Sequence, residues 1–380
     1  MAQNGIQIGI LGSCEMRVGE TVVPLGAHKQ RALFAVLVIH RNRAVGIDEL
    51  ISAVWGDAPH SGARAALHTY VSNLRGLMAG GGIDTRAALA RTPPGYRMSV
   101  LDGDCDVGRF GLERADGVRA LADGRFEEAS EHLSGALSQW RGPVLDDLRD
   151  FTFFEAFATA LYEEKLMTQI SRAEAEIACG RAYMVINELE TLTAEHPYRE
   201  PLWLQLMTAY YLVQRQSDAL DAYGRLKTVL IEDLGIDPDP AVQVLHGQML
   251  RQEPLNATKG ARLRADATLK ALGESLTTVP EHRDGPVLLG ADGSAHPLRT
   301  LSTRIGRSPD NNVVLDDAKA SRHHAAIVET DSGFVIADLN STNGVYVSNR
   351  RIHPSATLSG GDLIRIGDQE FVFELGVPNQ

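Results

Sequence analysis

The spacing of hydrophobic and polar positions changes twice along the chain and divides it into three parts. The first part opens with short alternating runs, "IQIGILGSCEMRVGETVVPL", which predict a small antiparallel sheet. Three amphipathic stretches follow, "HKQRALFAVLVIH", "GIDELISAVW" and "SGARAALHTYVSNLRGLMA", and each predicts a helix. The segment "ALARTPPGYRMSV" then predicts a hairpin with Pro-Pro-Gly at its turn. Residues 1–102 are therefore predicted to form one mixed α/β domain.

The second part, residues 103–252, has helical periodicity throughout. Gly180 and Gln214 lie 34 residues apart at equivalent turns, and 34 residues is the period of tetratricopeptide repeats, in which helix pairs stack on one another. We therefore predict an all-α, tetratricopeptide-like domain here. Residues 253–284 are polar and mixed in charge, which predicts a linker with one helix inside it.

The third part, residues 285–376, contains eight short strand-like runs bounded by turn residues. The runs are "PVLLG", "TRIG", "NNVVL", "HAAIVET", "GFVIADL", "GVYVS", "LIRIG" and "EFVFEL". So many short strands in fewer than a hundred residues predict an all-β sandwich. The fold class predicted for the whole chain is accordingly a multidomain α+β protein.

The third predicted helix has two faces of different character when its residues are placed at 100° intervals. An apolar stripe within about 60° predicts the core-facing side, and it consists of Leu67, Val71, Leu74 and Met78. A polar stripe about 100° away has two positive charges and no carboxylate, and it consists of Ser61, Arg64, His68, Ser72 and Arg75. Such a face can enter the major groove of DNA, where arginine reads guanine and other donors bind phosphate. A plain solvated helix face is the alternative.

Charge is distributed unevenly over a chain whose formal net charge is −12. Residues 1–100 hold ten Lys and Arg against six Asp and Glu, whereas residues 101–252 hold fourteen against twenty-seven. A basic first part on an acidic protein is consistent with an N-terminal domain that faces nucleic acid. The acidic helical part is unsuited to binding DNA.

Several classes of protein are disfavoured. No apolar run approaches the ~20 residues that span a bilayer, and the first residues lack the pattern of a secretory signal, so we expect no membrane association. The widely separated Cys14, Cys105 and Cys179 argue against disulfides and zinc, and predict a reducing cytoplasm. The motifs GxxxxGK[ST], HExxH and GxSxG are absent, as is the kinase HRD and DFG set, so we expect no enzyme, no cofactor and no bound metal.

The first part resembles a known family. Its strands, three helices and hairpin follow the order of a winged helix-turn-helix of the OmpR type, and "HKQRALFAVLVIHRNRAVGIDELISAVWGDAPHSGARAALHTYVSNLRGLM" with "PPGYRM" resembles the DNA-binding domain of the Streptomyces antibiotic regulatory proteins. The resemblance implies that the third helix is the recognition helix and that "WGDAPHSG" matches a loop facing RNA polymerase. Arg91 and Arg97 flank the wing and are candidates for phosphate contacts, with a packing or surface role as the alternative for Arg97. The helical part then matches the bacterial transcriptional activation domain of the same family.

The third part carries "GR…SRHHA…DLNSTNG", which resembles the signature of forkhead-associated domains, a family that binds phosphothreonine. A phosphothreonine has nearly two negative charges and three acceptor oxygens, and the planar fork of an arginine suits it. The resemblance implies a ligand-binding set of Arg307, Ser321, Arg322, Thr342 and Asn343. It also implies structural roles for Gly306, His324 and Gly344.

Each piece of this signature has a simpler interpretation. The two histidines 323 and 324 would suit a metal, but neighbouring strand residues point to opposite faces of a sheet. Asn343-Gly344 alone would predict only a hairpin turn. Arg307 alone would be a surface ion-pair partner. The order of the three pieces favours the phosphothreonine interpretation.

The modules together predict a transcriptional regulator that couples phosphorylation to transcription. Its predicted partners are promoter DNA and a phosphorylated Ser/Thr protein kinase, with RNA polymerase and a second copy of the chain as further candidates. The arrangement of the three domains resembles that of mycobacterial regulators over nearly the full length. A second hypothesis is an adaptor that binds and restrains the kinase, with weak or vestigial DNA binding, because the reading face is sparse.

Overall fold

The computed structural model describes residues 6–19, 21–56, 59–79, 84–276, 286–298, 302–330, 333–352 and 354–375. The chain packs into two compact units. The first comprises Met1–Leu112, Ser138–Glu164 and Leu272–Gln380, and the second comprises Glu113–Leu137 and Lys165–Ala271. No helix within the described ranges has the length and the apolar content to cross a membrane.

The N-terminal domain contains the predicted strands, three helices and hairpin. Its elements are β1 (Ile6–Gly9), β2 (Glu15–Val18), β3 (Thr21–Val23), α1 (His28–Ile39), β4 (Ala44–Gly46), α2 (Ile47–Trp55), α3 (Ala63–Ala79), α4 (Thr85–Ala88), β5 (Leu89–Thr92) and β6 (Gly95–Met98). The first three strands form one antiparallel sheet, and the hairpin β5–β6 forms a second with β4 on its other edge, in the order β4-β6-β5. Strand β4 and the single turn α4 are additions to the predicted elements.

The recognition-helix candidate α3 packs as its pattern predicted. Its apolar stripe is fully buried, with Leu67, Val71, Leu74 and Met78 each at most 1% exposed. The wing approaches the core closely at Gly95, where an added Cβ would lie 2.0 Å from the carbonyl oxygen of Val45. Only glycine allows this approach, so the hairpin is held directly against β4.

His40, which ends α1, is a buried titratable group in this domain. Its side chain is 8% exposed, and its ring lies edge-on to Phe153 at 6.5 Å. Burial, together with the nearby charge of Arg43, lowers the pKa of His40 to about 3. The folded protein therefore holds this imidazole neutral near neutral pH.

We expect the stability of the protein to fall as the pH drops below about 6.5, where the unfolded chain protonates His40 and the folded chain does not. Stability from this group is complete above pH 6.5 and is lost progressively towards pH 3, by about 2 kcal/mol at pH 5. Thermal unfolding followed by circular dichroism between pH 5 and 7.5 measures how steeply stability depends on pH. His40→Asn should flatten this dependence, whereas His60→Asn, at an exposed position, should not. Equal slopes in all three proteins would contradict the assignment.

The helical domain is built from α5 (Asp106–Asp123), α6 (Phe126–Ser138), α7 (Glu155–Ala178), α8 (Ile186–Glu195), α9 (Glu200–Leu212), α10 (Gln216–Val229), α11 (Pro240–Leu250) and α12 (Ala257–Leu276). One turn geometry recurs after α5, α7, α9 and α11, at Gly124, Gly180, Gln214 and Gln252. Each of these residues has positive φ, and the amide after it donates to a carbonyl five residues earlier. The predicted equivalence of Gly180 and Gln214 is thus confirmed, and the repeat extends in both directions.

Helix α12 is the one helix predicted inside residues 253–284, but it packs as part of the helical domain and not as a free linker. It follows the Gln252 turn as the second helix of a fourth pair, and Ala261 and Ala265 are buried against residues of α5 and α6. The side chain of Arg262 donates from Nε to the carbonyl oxygen of Ala122 at 3.2 Å. Arg264 pairs with the buried carboxylate of Glu174 on α7. Within residues 257–270 only Ala261 and Ala265 are fully buried, so the segment keeps the polar composition that is typical of a linker.

The C-terminal domain is the predicted β-sandwich. Its strands are β7 (Val287–Gly290), β8 (Ala295–Pro297), β9 (Ser302–Gly306), β10 (Val313–Val314), β11 (Ala325–Thr330), β12 (Gly333–Asp338), β13 (Val345–Val347), β14 (Arg350–Arg351), β15 (Ser355–Leu358), β16 (Leu363–Ile366) and β17 (Gln369–Glu374). The sheets have the orders β10-β9-β11-β12-β15 and β14-β13-β16-β17-β7-β8. All eight predicted strands are present, and β8, β14 and β15 are additional.

Candidate functional site

Three loops of the sandwich meet at one end of its five-stranded sheet. Ile305, Ala325 and Asp338 lie opposite one another on β9, β11 and β12, so the chain leaves or enters these strands at the same edge. We call residues 307–308, 319–324 and 339–344 the ligand loops. They hold all five residues predicted to bind phosphothreonine.

The first two ligand loops are joined through their backbones. The amide of Arg307 donates to the carbonyl oxygen of Ser321 at 2.9 Å, and the amide of Ser308 donates to that of Arg322 at 3.0 Å. Gly306 makes this pairing possible, because a Cβ there would lie 2.4 Å from the carbonyl oxygen of Arg322. The Gly-Arg and Ser-Arg pieces of the signature, which are separated in sequence, are therefore in direct contact in the structure.

His324 joins the second loop to the third. The side chain is fully buried. Its Nδ1 accepts from the amide of Ser321 at 2.9 Å, and its Nε2 lies 3.1 Å from the carbonyl oxygen of Gly344. Since a carbonyl only accepts, these two bonds require the neutral tautomer with its proton on Nε2. Gly344 itself has a φ of 76°, a left-handed conformation that favours glycine.

A backbone amide and a side-chain amide of the third loop reach back to the second. The amide of Thr342 donates to the hydroxyl oxygen of Ser321 at 3.1 Å. The side-chain amide of Asn343 donates to the carbonyl oxygen of Lys319 at 2.7 Å. Both residues are exposed, so their remaining polar groups face solvent beside Ser321.

Two arginines supply the positive charge of the ligand loops. Arg307 and Arg322 are exposed, and neither forms an ion pair within the residues that the structure describes. Arg307 makes one long bond, from Nε to the carbonyl oxygen of Ala320 at 3.3 Å. The surface ion-pair alternative for Arg307 thus finds no partner in the described part of the chain.

The two adjacent histidines have different surroundings. His323 is exposed, and its Nδ1 lies 3.3 Å from Oδ1 of Asn311, whereas His324 is buried and bonded at both nitrogens. They do not share a metal position.

Sequence reasoning missed Asn311, which braces the first two loops. Its side chain is 7% exposed, and its Nδ2 donates to the carbonyl oxygens of Ser308 at 2.8 Å and Arg322 at 2.7 Å. An amide with two donors is suited to hold two carbonyls together. In the sequence, Asn311 is one of two asparagines that follow Ser-Pro-Asp, and this composition is typical of any surface loop. It therefore gives no sign of a bracing role.

The predicted DNA-reading stripe on α3 is divided by the fold. Ser61, Arg64 and Ser72 are exposed, whereas His68 and Arg75 are partly buried in contacts within the domain. The Nδ1 of His68 lies 2.8 Å from the hydroxyl of Tyr96. Arg75 donates from Nε and Nη2 to the carbonyl oxygen of Leu89, at 3.0 and 2.7 Å. These two residues therefore fasten the wing to α3.

The charge of the exposed stripe is also reduced by another helix. Asp48 of α2 lies 2.5 Å from Nη2 of Arg64, although both side chains remain mostly exposed. Thr69 on α3 is also exposed, although the angular prediction does not include it. The polar stripe of α3 has no carboxylate of its own, but the folded structure places the carboxylate of Asp48 beside it.

The wing leaves its two arginines accessible. Arg91 on β5 and Arg97 on β6 are exposed, while Tyr96 between them is buried. The guanidinium groups of Arg91 and Arg75 lie 6.0 and 5.8 Å from the ring of Tyr96. The loop at 55–62, predicted to face RNA polymerase, lies partly outside the described residues.

Comparison with known proteins gives three matches to family models. The C-terminal domain of transcriptional regulatory proteins matches residues 21–98, the bacterial transcriptional activator domain matches 105–250, and the FHA domain matches 303–367. The matches follow the order of the predicted folds.

Relatives are similar over long stretches. The transcriptional regulatory protein EmbR of Mycobacterium tuberculosis is 55% identical over 370 residues, which are 97% of this chain and 95% of EmbR. The regulatory protein DnrI of Streptomyces peucetius is 30% identical over 269 residues, covering 70% of this chain and 99% of DnrI. A structure of Mycobacterium tuberculosis EmbR in complex with a low-affinity phosphopeptide has a TM-score of 0.89 and 54% identity, with 99% of each chain covered.

Proposed function

Because this chain belongs to the EmbR family of transcriptional regulatory proteins, we propose that it binds promoter DNA and couples transcription to a phosphorylated Ser/Thr protein kinase. The N-terminal winged helix, residues 1–102, binds the DNA. The sandwich, residues 285–376, binds a phosphothreonine of the kinase. The helical domain, residues 103–252 extended by α12, contacts a further protein.

The ligand loops carry this proposal. They bring together two exposed cations that have no ion pair among the described residues, the hydroxyl of Ser321 and the exposed side chains of Thr342 and Asn343. A doubly charged phosphate with three acceptor oxygens complements such a set. In this assignment Arg307, Ser321, Arg322 and Thr342 bind the phosphate, and Asn343 anchors the main chain of the ligand. Gly306, His324 and Gly344 support the site from beneath.

DNA binding rests on α3 and the wing. Ser61, Arg64 and Ser72 remain exposed for the groove, and Arg91 and Arg97 are placed for the phosphate backbone. His68 and Arg75 act indirectly, since they hold the wing in position. The loop at 55–62 faces RNA polymerase in this proposal, and the protein works in the cytoplasm, where promoter DNA is accessible.

A second candidate function is a kinase-restraining adaptor with weak DNA binding. It is favoured by the pairing of Arg64 with Asp48 and by the intramolecular bonds of Arg75, which leave few charged groups to read bases. Kinase assays with saturating amounts of this protein separate the two functions. Undiminished kinase activity excludes restraint.

The proposal is tested by fluorescence anisotropy of a labelled promoter duplex at several salt concentrations. We expect specific binding whose affinity changes when a phosphothreonine peptide saturates the sandwich. Arg91→Ala should lower the slope of log K against log salt by about one, because one phosphate contact is lost. Arg307→Ala removes the same charge outside the winged helix and should leave the slope unchanged. Affinity that is the same for unrelated duplexes, with a salt dependence unchanged in Arg91→Ala, would count against DNA recognition.

A further inference from the structure

The groove beside the ligand loops has a second wall that does not belong to the sandwich. One side is lined by Ser308, Ser321 and Arg322. The other side is lined by Thr152 and Glu155, at the start of α7, and all of these residues belong to the same compact unit. The groove has a volume of about 540 Å³, enough for several side chains of a bound peptide. A ligand of the loops therefore meets residues of the helical domain as well.

The second wall is held firmly in place. Phe154 is buried between Phe151 and Phe153, with ring centroids 6.0 and 5.4 Å away. One turn further on, Ala156 and Ala160 are buried against the outer face of β11 and β12. Packing on both sides of Glu155 fixes its backbone relative to the ligand loops, which keeps its carboxylate within reach of the groove.

The charges of the two walls are opposite. Arg304 and Arg322 line the sandwich side, whereas Glu155 carries the carboxylate of the other side. Glu155 is exposed and has no ion pair within the described part of the chain. A carboxylate cannot bind the phosphate and repels it, but it attracts a positive charge elsewhere on the same ligand.

The groove also continues past Glu155. Thr152, Arg304, His323 and Leu339 line both this groove and an adjoining cavity of about 460 Å³. A peptide anchored by its phosphate thus has room to extend along the second wall.

We propose that Glu155 is a specificity-determining residue that selects phosphothreonine peptides with a lysine or arginine close to the phosphothreonine. This inference rests on the proposed function, since it assumes that the ligand loops bind phosphothreonine. The phosphate is held by the sandwich, and the basic side chain is read by the helical domain. The partner is therefore recognised by two domains at once.

The test compares peptide preferences in the full-length protein. Phosphothreonine peptides of equal length carry lysine or glutamate at the flanking positions on one side or the other, and their Kd values are measured by anisotropy. In Glu155→Lys, the preference for lysine over glutamate on one side should fall by about tenfold relative to the unmodified protein, since an attraction becomes a repulsion. Glu155→Gln should lower it by about threefold. Both effects should shrink in high salt.

Glu131→Lys is the matched control, because it makes the same charge change at an exposed position of α6 outside the groove. An unchanged preference in Glu155→Lys and Glu155→Gln, with alanine-flanked phosphopeptide still bound, overturns the role of Glu155. Glu155 also begins α7, where a carboxylate favours the helix N-terminus, and a purely structural role would weaken all peptides equally. Failure of the unmodified protein to distinguish phosphorylated from unphosphorylated peptide would instead refute the proposed function.

Discussion

Arg307→Ala is expected to weaken binding of a phosphothreonine peptide by about 30- to 700-fold, equivalent to about 2 to 4 kcal/mol. Arg307 is an exposed cation without an ion pair in the described residues, and its backbone is fixed by the bond from its amide to Ser321. Its loss leaves a doubly charged phosphate with fewer charge-assisted bonds, and such bonds are the strong ones. Isothermal titration of the full-length protein with the peptide measures the effect.

Two comparison variants make this result specific. Arg307→Lys keeps the charge but loses the planar fork, so its affinity should be intermediate. Arg91→Ala removes the same charge from the wing and should leave peptide affinity unchanged, while Arg307→Ala leaves basal DNA affinity unchanged. Peptide affinity that survives in Arg307→Ala would show that the ligand loops are not the phosphate site.

His324→Ala should both destabilise the sandwich, by about 2 to 4 kcal/mol, and abolish most phosphopeptide binding. The imidazole is fully buried and bonded to the amide of Ser321 and the carbonyl of Gly344. Its removal leaves a cavity and two polar groups without their partner, and it disconnects the second ligand loop from the third. Hydrogen exchange of β9 and β11 is the suitable measurement, because Trp55, Trp140 and Trp203 all lie outside the sandwich.

His323→Ala is the natural control, because it removes the same side chain one position earlier. His323 is exposed and makes only long contacts, with Asn311 at 3.3 Å and with the carboxylate of Asp310 at 3.6 Å. Its loss should therefore change stability by no more than about 0.5 kcal/mol. Comparable losses in the two variants would contradict the bracing role of His324.

The strands β11 and β12 illustrate where sequence patterns stop being informative. "AAIV" and "FVIA" are apolar at successive positions, which indicates strands buried on both faces. Ala325 and Ile327 face the core of the sandwich, while Ala326 and Val328 pack against Ala156 and Ala160 of α7. The pattern predicts that something covers the outer face, but nothing in it says that a helix from another domain does so.

Helix α3 likewise combines features that its sequence pattern predicts with features that depend on distant residues. Its core stripe follows from the helical period alone, because residues at this spacing share one face whatever surrounds them. The fate of its polar stripe depends on neighbours distant in sequence: Asp48 pairs with Arg64, Tyr96 bonds to His68 and Leu89 binds Arg75. Angular position therefore identified candidate residues but could not separate those that reach outward from those that brace the wing.

The three folds, their order and the candidate residues of the ligand loops could be predicted from periodicity and short motifs, because these are local properties of the chain. Three further features are visible in the folded structure alone: α12 completes a fourth helix pair, Asn311 braces the loops, and Glu155 lines the groove beside them. Each of these results joins residues that are separated in sequence or surrounded by ordinary loop composition. Contacts of that kind are set by packing, and no local pattern in the sequence specifies them.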